Sequence, residues 1–163
     1  GQPGYQSGPG VISSFSQQSP YCSQAVSGHY CREVPDVSAN ASGLSPNAEF
    51  CTGAADPTGT STCAHSSRHA PGWFGVIGTS AASPLWGSVI ALWDSVHLQR
   101  FGNANIELYS LFRSVDAYGK YFHSMSGQGR IENNNGYYPS TPDYNMATGI
   151  GTPRIAGIVK TLF

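Results

Sequence analysis

Two apolar segments joined by a short polar stretch dominate the hydrophobic pattern of this chain. Residues 73–77 (WFGVI) form a short apolar run, which predicts a buried strand. Residues 85–96 carry apolar side chains at helical spacing and predict a buried helix. The intervening residues 78–84 (GTSAASP) would turn the strand into the helix and place Ser80 at the helix N-terminus.

Ser80 has two interpretations at this position. Serine is a favoured helix N-cap, because its oxygen accepts a hydrogen bond from a free amide of the first turn. The same free amides and the positive end of the helix dipole also stabilise a developing negative charge, which suits a nucleophilic serine. The local pattern leaves both interpretations open.

The remaining pattern is weaker. It predicts a strand edge at 32–37, a short element near Phe50, a helix over 105–112 and an amphipathic helix over 153–160, with loops elsewhere. A parallel sheet needs several crossover connections, and only about two are recognisable here. The pattern therefore resembles the later part of a larger α/β domain, whose earlier strands are missing or come from another chain.

The composition removes several classes of function. Charged residues make up 10% of the chain, and 8 Lys and Arg balance 9 Asp and Glu, so no basic surface for nucleic acid or an acidic membrane is predicted. The low content of Asp and Glu also favours stability at acidic pH, because few carboxylates are neutralised as the pH falls. No apolar run approaches the roughly 18 residues of a membrane-spanning helix. The first ten residues are polar, so we expect any secretory leader to have been removed already.

The cysteines favour an oxidising compartment. Cys22, Cys31, Cys51 and Cys63 form no C-x-x-C pair and have no zinc-ligand spacing with histidine. Pairing nearest neighbours, Cys22 with Cys31 and Cys51 with Cys63, would close two short polar loops. We expect these two disulfides and a secreted protein; free thiols in a cytosolic protein are the alternative.

Four segments resemble motifs of one family, and they occur in that family's order. Residues 78–87 (GTSAASPLWG) resemble the nucleophile motif of the sedolisins, the serine-carboxyl peptidases. Residues 32–39 (REVPDVSA) resemble the family's R-x-V-P-D-V-S-A, and residues 105–109 (NIELY) resemble N-P-x-L-Y. Residues 144–153 (YNMATGIGTP) resemble D-x-x-T-G-L-G-T-P. The likeness spans nearly the whole chain.

The resemblance implies a fold and a reaction. It implies a subtilisin-like three-layer α/β fold with a parallel sheet, of which residues 1–163 are the C-terminal part of a single peptidase domain. It implies an endopeptidase active at acidic pH, with Ser80 as nucleophile and Gly78 and Thr79 beside the substrate. A carboxylate base, whose ordinary pKa is near 4, still functions at a pH where histidine is charged.

The family's other catalytic groups have no counterpart here. Its Glu-x-x-x-Asp pair, which supplies the base and an orienting aspartate, and its S-G-D-x-G motif, which supplies an oxyanion-binding aspartic acid, precede the R-x-V-P-D motif. Glu33 and Asp36 have the wrong spacing, and we expect Asp36 to form a structural ion pair with Arg32 at a strand end. The resemblance therefore implies a partner, an N-terminal chain of the same precursor that carries the missing groups.

The family's Ca²⁺ site is also altered. Its ligand positions fall on Ser124, Met125, Thr141, Asp143 and Asn145, so both anionic ligands have become neutral side chains. Ca²⁺ binds several oxygens and prefers carboxylates among them. We expect a weakened or absent site; an intact site that uses the Asp143 side chain is the alternative.

Three functions are compatible with parts of this pattern. The first is the acid-active endopeptidase described above, and the second is a catalytically inactive sedolisin-like module that binds or supports other proteins. The third is a subtilisin-type peptidase with a histidine base. The GTS-x-A-x-P stretch permits this third function, but the other three motifs do not.

Overall fold

The computed structural model describes eight stretches of the chain: residues 1–11, 22, 30–40, 48–51, 73–76, 78–114, 117–125 and 137–161. The strands within these stretches are β1 (Ala48–Cys51), β2 (Trp73–Val76), β3 (Phe122–His123) and β4 (Thr152–Pro153). The helices are α1 (Thr79–His97), α2 (Ala104–Arg113), α3 (Tyr118–Tyr121) and α4 (Ile155–Val159).

The described strands form two antiparallel pairs. β1 pairs with β2, with Phe50 opposite Phe74, and β3 pairs with β4, with Phe122 opposite Pro153. Strands of the described stretches form no parallel pair. The three-layer fold with a parallel sheet stays a prediction.

Contacts divide the chain into two compact units. The larger unit comprises Gly1–Ala39 and Trp86–Phe163, and the smaller one comprises Asn40–Leu85. Helix α1 begins in the smaller unit and continues into the larger one from Trp86 onward. The assignment of residues 1–163 to one peptidase domain stays a prediction.

The strongest sequence patterns predicted their elements correctly. The strand predicted at 73–77 is β2, the helix predicted at 105–112 is α2, and the short element near Phe50 is β1. Helix α1 begins at Thr79 rather than 85, because Gly78 turns the chain and its carbonyl accepts the amides of Ala81 and Ala82 at 3.0 and 3.3 Å. The polar first turn of this helix has no apolar periodicity, so the pattern missed it.

The strand edge predicted at 32–37 is wrong. Residues 30–40 contain no strand, and their backbone groups bond instead to the loop before β4. The Ile150 amide donates to the Asp36 carbonyl at 2.9 Å, and the Ser38 amide donates to the Gly151 carbonyl at 3.0 Å. Because these are isolated hydrogen bonds and not the regular ladder of a paired strand, the segment has an irregular conformation.

Helix α1 contributes one face to the core of the larger unit. Trp86, Val89 and Trp93 are buried at helical spacing, whereas Leu92 and Val96 are 48% and 55% exposed. Trp86 and Trp93 pack in the core, and their indole N–H groups donate to backbone carbonyls of the larger unit at 2.9 and 2.7 Å. Helix α1 is thus only partly buried, and some of its large apolar side chains are exposed.

One of the two predicted disulfides falls within the described residues. Cys22 and Cys31 are bonded, with their Cα atoms 5.7 Å apart. Cys51 lies in β1, but Cys63 lies outside the part of the chain that is described, so this second pair stays a prediction.

None of the helices in the described stretches is both long and apolar enough to cross a membrane.

Candidate functional site

Ser80 lies in the first turn of α1, two residues after a glycine in a left-handed conformation. Gly78 has φ of +80°, and a Cβ atom built there would meet nothing within 4 Å. The glycine is therefore favoured by backbone conformation and not by close packing. This turn ends the extended run of β2 and begins the helix at Thr79.

The Ser80 side chain is exposed and has no hydrogen-bond partner among the described residues. It is the second residue of the helix, so it is not at the N-cap position that one sequence interpretation gave it. The amides of Thr79 and Ser80 likewise have no acceptor among those residues, whereas the next two amides bond to the Gly78 carbonyl. An exposed hydroxyl therefore lies beside N–H donors that have no acceptor in the described part of the chain, as expected at a helix N-terminus.

Pro84 changes the turn that follows. It lies inside α1, four residues after Ser80, and has no amide hydrogen to donate to the Ser80 carbonyl. The regular hydrogen bond from residue 84 to the Ser80 carbonyl is therefore missing from this turn.

The structure places no acid or base beside Ser80 among the side chains described in its own unit. Those side chains belong to Asn40, Gly75 and residues 78–85, and none is Asp, Glu or His. Glu49 lies on β1, but its side chain is outside the described set. The sequence prediction that Ser80 lacks a base in this chain is neither confirmed nor contradicted.

Asp36 is the centre of a polar cluster in the larger unit. Its carboxylate forms an ion pair with Arg32, which confirms the predicted pair, although no strand ends there. It also accepts hydrogen bonds from the Tyr109 hydroxyl at 3.0 Å and the Asn105 amide group at 3.2 Å. Four residues of two separate sequence motifs, REVPDVSA and NIELY, therefore hold one another together.

Gln6 completes this cluster, and no local sequence pattern pointed to it. Its side-chain amide donates to the Glu33 carbonyl at 2.6 Å and to the Tyr109 hydroxyl at 3.0 Å, and its oxygen accepts the Glu33 amide at 3.0 Å. Only 2% of Gln6 is exposed, so these bonds replace solvent that the side chain has lost.

Two buried tyrosines border the cluster. Tyr109 and Tyr144 are 0% and 1% exposed, with ring centroids 6.4 Å apart. Burial raises the pKa of both hydroxyls well above the ordinary value, and the nearby carboxylate of Asp36 adds to both shifts. Both rings therefore stay neutral over the physiological pH range, and the cluster has the character of a structural support.

A third motif joins this cluster through its backbone. A side chain at Gly149, where φ is +63°, would collide with the Asp36 carbonyl, so glycine is required there for both conformation and space. Three of the four motifs that resemble the sedolisins therefore contact each other around Asp36. The fourth, which contains Ser80, reaches the same unit at Trp86, whose indole donates to the Ser38 carbonyl at 2.9 Å.

The five positions of the family's Ca²⁺ ligands include several oxygens that are already engaged with protein donors. The Asn145 amide group donates to the Thr141 carbonyl at 3.0 Å, and the Ser140 hydroxyl donates to the Met125 carbonyl at 3.1 Å. The Ser124 hydroxyl is hydrogen-bonded to that of Tyr118. Carbonyls that would bind a cation thus already accept hydrogen bonds.

This donor set does not fit Ca²⁺, which binds six to eight oxygens and prefers several carboxylates. Asp143 supplies the one carboxylate of the five positions, and it lies on an exposed residue with φ of +64°. The described residues hold no cluster of three or more His, Cys, Asp or Glu that would bind a metal. A pocket of about 160 Å³ beside Thr141 and Asn145 is lined mostly by apolar groups, including Tyr138, Pro139 and Met146.

Comparison with known proteins found no match among protein-family models, curated proteins or solved structures. The likeness to the sedolisins therefore depends on the four motifs and on their order along the chain.

Proposed function

We propose that this protein is the serine-bearing part of a secreted serine-carboxyl peptidase, an endopeptidase that acts at acidic pH. The observation that carries the proposal is the exposed Ser80 hydroxyl in the first turn of a 19-residue helix, within a motif that resembles the sedolisin nucleophile. The order of the other three motifs supports the same family.

The geometry at Ser80 suits nucleophilic attack on a peptide carbonyl. The Ser80 oxygen attacks the carbonyl carbon, and its proton passes to a general base as the tetrahedral intermediate forms. The Ser80 amide, in the first turn of the helix, is the proposed donor for the resulting oxyanion, and the helix dipole strengthens it. Gly78 and Thr79 lie directly before the nucleophile, where the substrate backbone would pass.

Acid activity follows from the groups that the resemblance assigns to a partner segment. A glutamate base must be ionised, whereas an aspartic acid that donates to the oxyanion must be protonated. Both conditions hold together only near the ordinary carboxyl pKa values, at about pH 4. The N-terminal chain of the same precursor is the proposed source of these carboxyl groups.

The test compares two serines near the start of the same helix. Peptide hydrolysis is measured at about pH 3–5, with the chain assembled with the N-terminal part of its precursor. We expect Ser80→Ala to lower kcat/KM by at least about 10³-fold, because the nucleophile is lost. Ser83→Ala, which removes an exposed hydroxyl three residues later, should keep wild-type activity. Equal activity of Ser80→Ala and wild type would exclude Ser80 as the nucleophile.

A catalytically inactive sedolisin-like binding or structural module is the second candidate. It is favoured by the engagement of the Ca²⁺-ligand positions with protein donors, since loss of a family's metal site is compatible with loss of its activity. Hydrolysis that stays at background in wild type, Ser80→Ala and Ser83→Ala alike, with the precursor's N-terminal part present, would favour this module.

A further inference from the structure

The loop between Thr141 and Gly149 is closed by a single side chain, that of Asn145. Its oxygen accepts hydrogen bonds from the Ala147 amide at 3.1 Å, the Thr148 amide at 2.9 Å and the Thr148 hydroxyl at 3.0 Å. Its NH₂ group donates to the Thr141 carbonyl at 3.0 Å. Asn145 is 7% exposed, so these bonds are largely shielded from water.

The backbone continues the closure on the other side of this residue. The amide of Asn145 donates to the Gly149 carbonyl at 3.3 Å, and the Gly149 amide donates back at 2.8 Å. Gly149 lies against the Asp36 carbonyl, and Ile150 donates to the same oxygen at 2.9 Å. The backbone at the end of this loop therefore contacts Asp36, the centre of the polar cluster, directly.

An amide can close this loop, and a carboxylate at the same place cannot do so alone. An amide side chain is both donor and acceptor, whereas an ionised carboxylate only accepts. An aspartate at 145 would place an anionic oxygen where the NH₂ group now lies, about 3 Å from the Thr141 carbonyl oxygen. Two acceptors at that distance repel unless a cation or a proton lies between them.

We propose that the Asn145 amide replaces a divalent cation as the cross-link of this loop, so that the fold of residues 141–149 is independent of metal. This inference does not depend on the role of Ser80. A neighbouring bond agrees with it, because the Met125 carbonyl already accepts a hydrogen bond from the Ser140 hydroxyl at 3.1 Å.

The test follows thermal unfolding of the full chain in EDTA and in about 10 mM CaCl₂, a concentration that saturates even weak extracellular Ca²⁺ sites. Wild type should unfold at the same temperature in both solutions to within about 1 °C. This difference is smaller than the change in Tm that a change of about 1 kcal/mol in stability produces. Asn145→Asp should unfold about 4–8 °C lower in EDTA, and CaCl₂ should raise its Tm, because a cation then lies between the new carboxylate and the Thr141 carbonyl.

The controls separate this role from a general effect of mutation. Thr141→Ala changes an exposed side chain of the same loop but keeps the carbonyl that Asn145 binds, so it should keep the wild-type Tm in both solutions. Asn145→Ala should lose stability in both, without rescue by calcium. A wild-type Tm that falls in EDTA and returns with calcium would overturn the proposal. So would an Asn145→Asp variant whose Tm does not respond to calcium, or an Asn145→Ala variant as stable as wild type.

Discussion

Tyr109→Phe tests whether the cluster around Asp36 stabilises the larger unit. The substitution keeps the aromatic ring and removes one hydroxyl, which donates to the Asp36 carboxylate at 3.0 Å and accepts from Gln6 at 3.0 Å. Tyr109 has no exposed surface, so water cannot take the place of the lost oxygen without opening the core.

The remaining contacts set the size of the effect. Gln6 keeps its 2.6 Å bond to the Glu33 carbonyl, and Asp36 keeps its contacts with Arg32 and Asn105. The substitution removes two hydrogen bonds but leaves neither Gln6 nor Asp36 without a partner, so the bond to the charged Asp36 should account for most of the loss. We expect the free energy of unfolding to fall by about 2 kcal/mol, within the usual range of roughly 1.5–3 kcal/mol. For a chain of this length that loss corresponds to a Tm lower by about 4–8 °C.

The assay is urea unfolding followed by circular dichroism, with Tyr137→Phe as the matched control. Tyr137 is 87% exposed, so removing its hydroxyl should change stability by less than about 0.5 kcal/mol. A double-mutant cycle with Asp36→Ala should give a coupling energy of at least about 0.5 kcal/mol between the two side chains. A loss below that value for Tyr109→Phe, or effects that simply add, would refute the reasoning.

Two further predictions concern the same cluster. Gly149→Ala should lower the free energy of unfolding by more than about 2 kcal/mol, because its methyl group would collide with the Asp36 carbonyl. Gly102→Ala, at a similar φ of +74° but with nothing within 4 Å, should lose about 1 kcal/mol from backbone strain alone; equal losses in urea unfolding would contradict the packing argument. Burial raises the pKa of Tyr109 and Tyr144, so above the ordinary tyrosine value the native state keeps protons that the unfolded chain releases. Stability should thus be constant with respect to these groups below about pH 10 and fall above it, by up to about 1.4 kcal/mol per pH unit for each tyrosine. Urea midpoints of wild type measured between about pH 8 and 11 give this slope. The slope should be smaller in Tyr109→Phe, which has one titrating tyrosine fewer. A wild-type midpoint that does not change over this pH range would contradict the prediction.

Local chemistry determined several features from the sequence alone. The apolar run before Gly78 predicted β2, and the spacing of Leu108, Leu111 and Phe112 predicted α2, because neighbours within a few residues decide these elements. The pairing of Cys22 with Cys31 and of Arg32 with Asp36 was also predictable, since both pairs are close in the chain.

The tertiary structure alone decided where the motifs meet. Gln6 bonds to Tyr109 across 103 positions, a distance over which no periodicity carries information. The segment at 32–37 has the alternation of a strand, but single bonds to residues 150 and 151 replaced the ladder that the alternation predicted.

At Asn145, the sequence and the tertiary structure each determined a different part of the result. The sequence by itself indicated that a neutral side chain occupies the position of an anionic Ca²⁺ ligand. Only the fold showed that its NH₂ group faces the Thr141 carbonyl while its oxygen faces the Thr148 amide. Composition determines which groups are available to bond, whereas the path of the chain determines which donor and acceptor lie at hydrogen-bond distance.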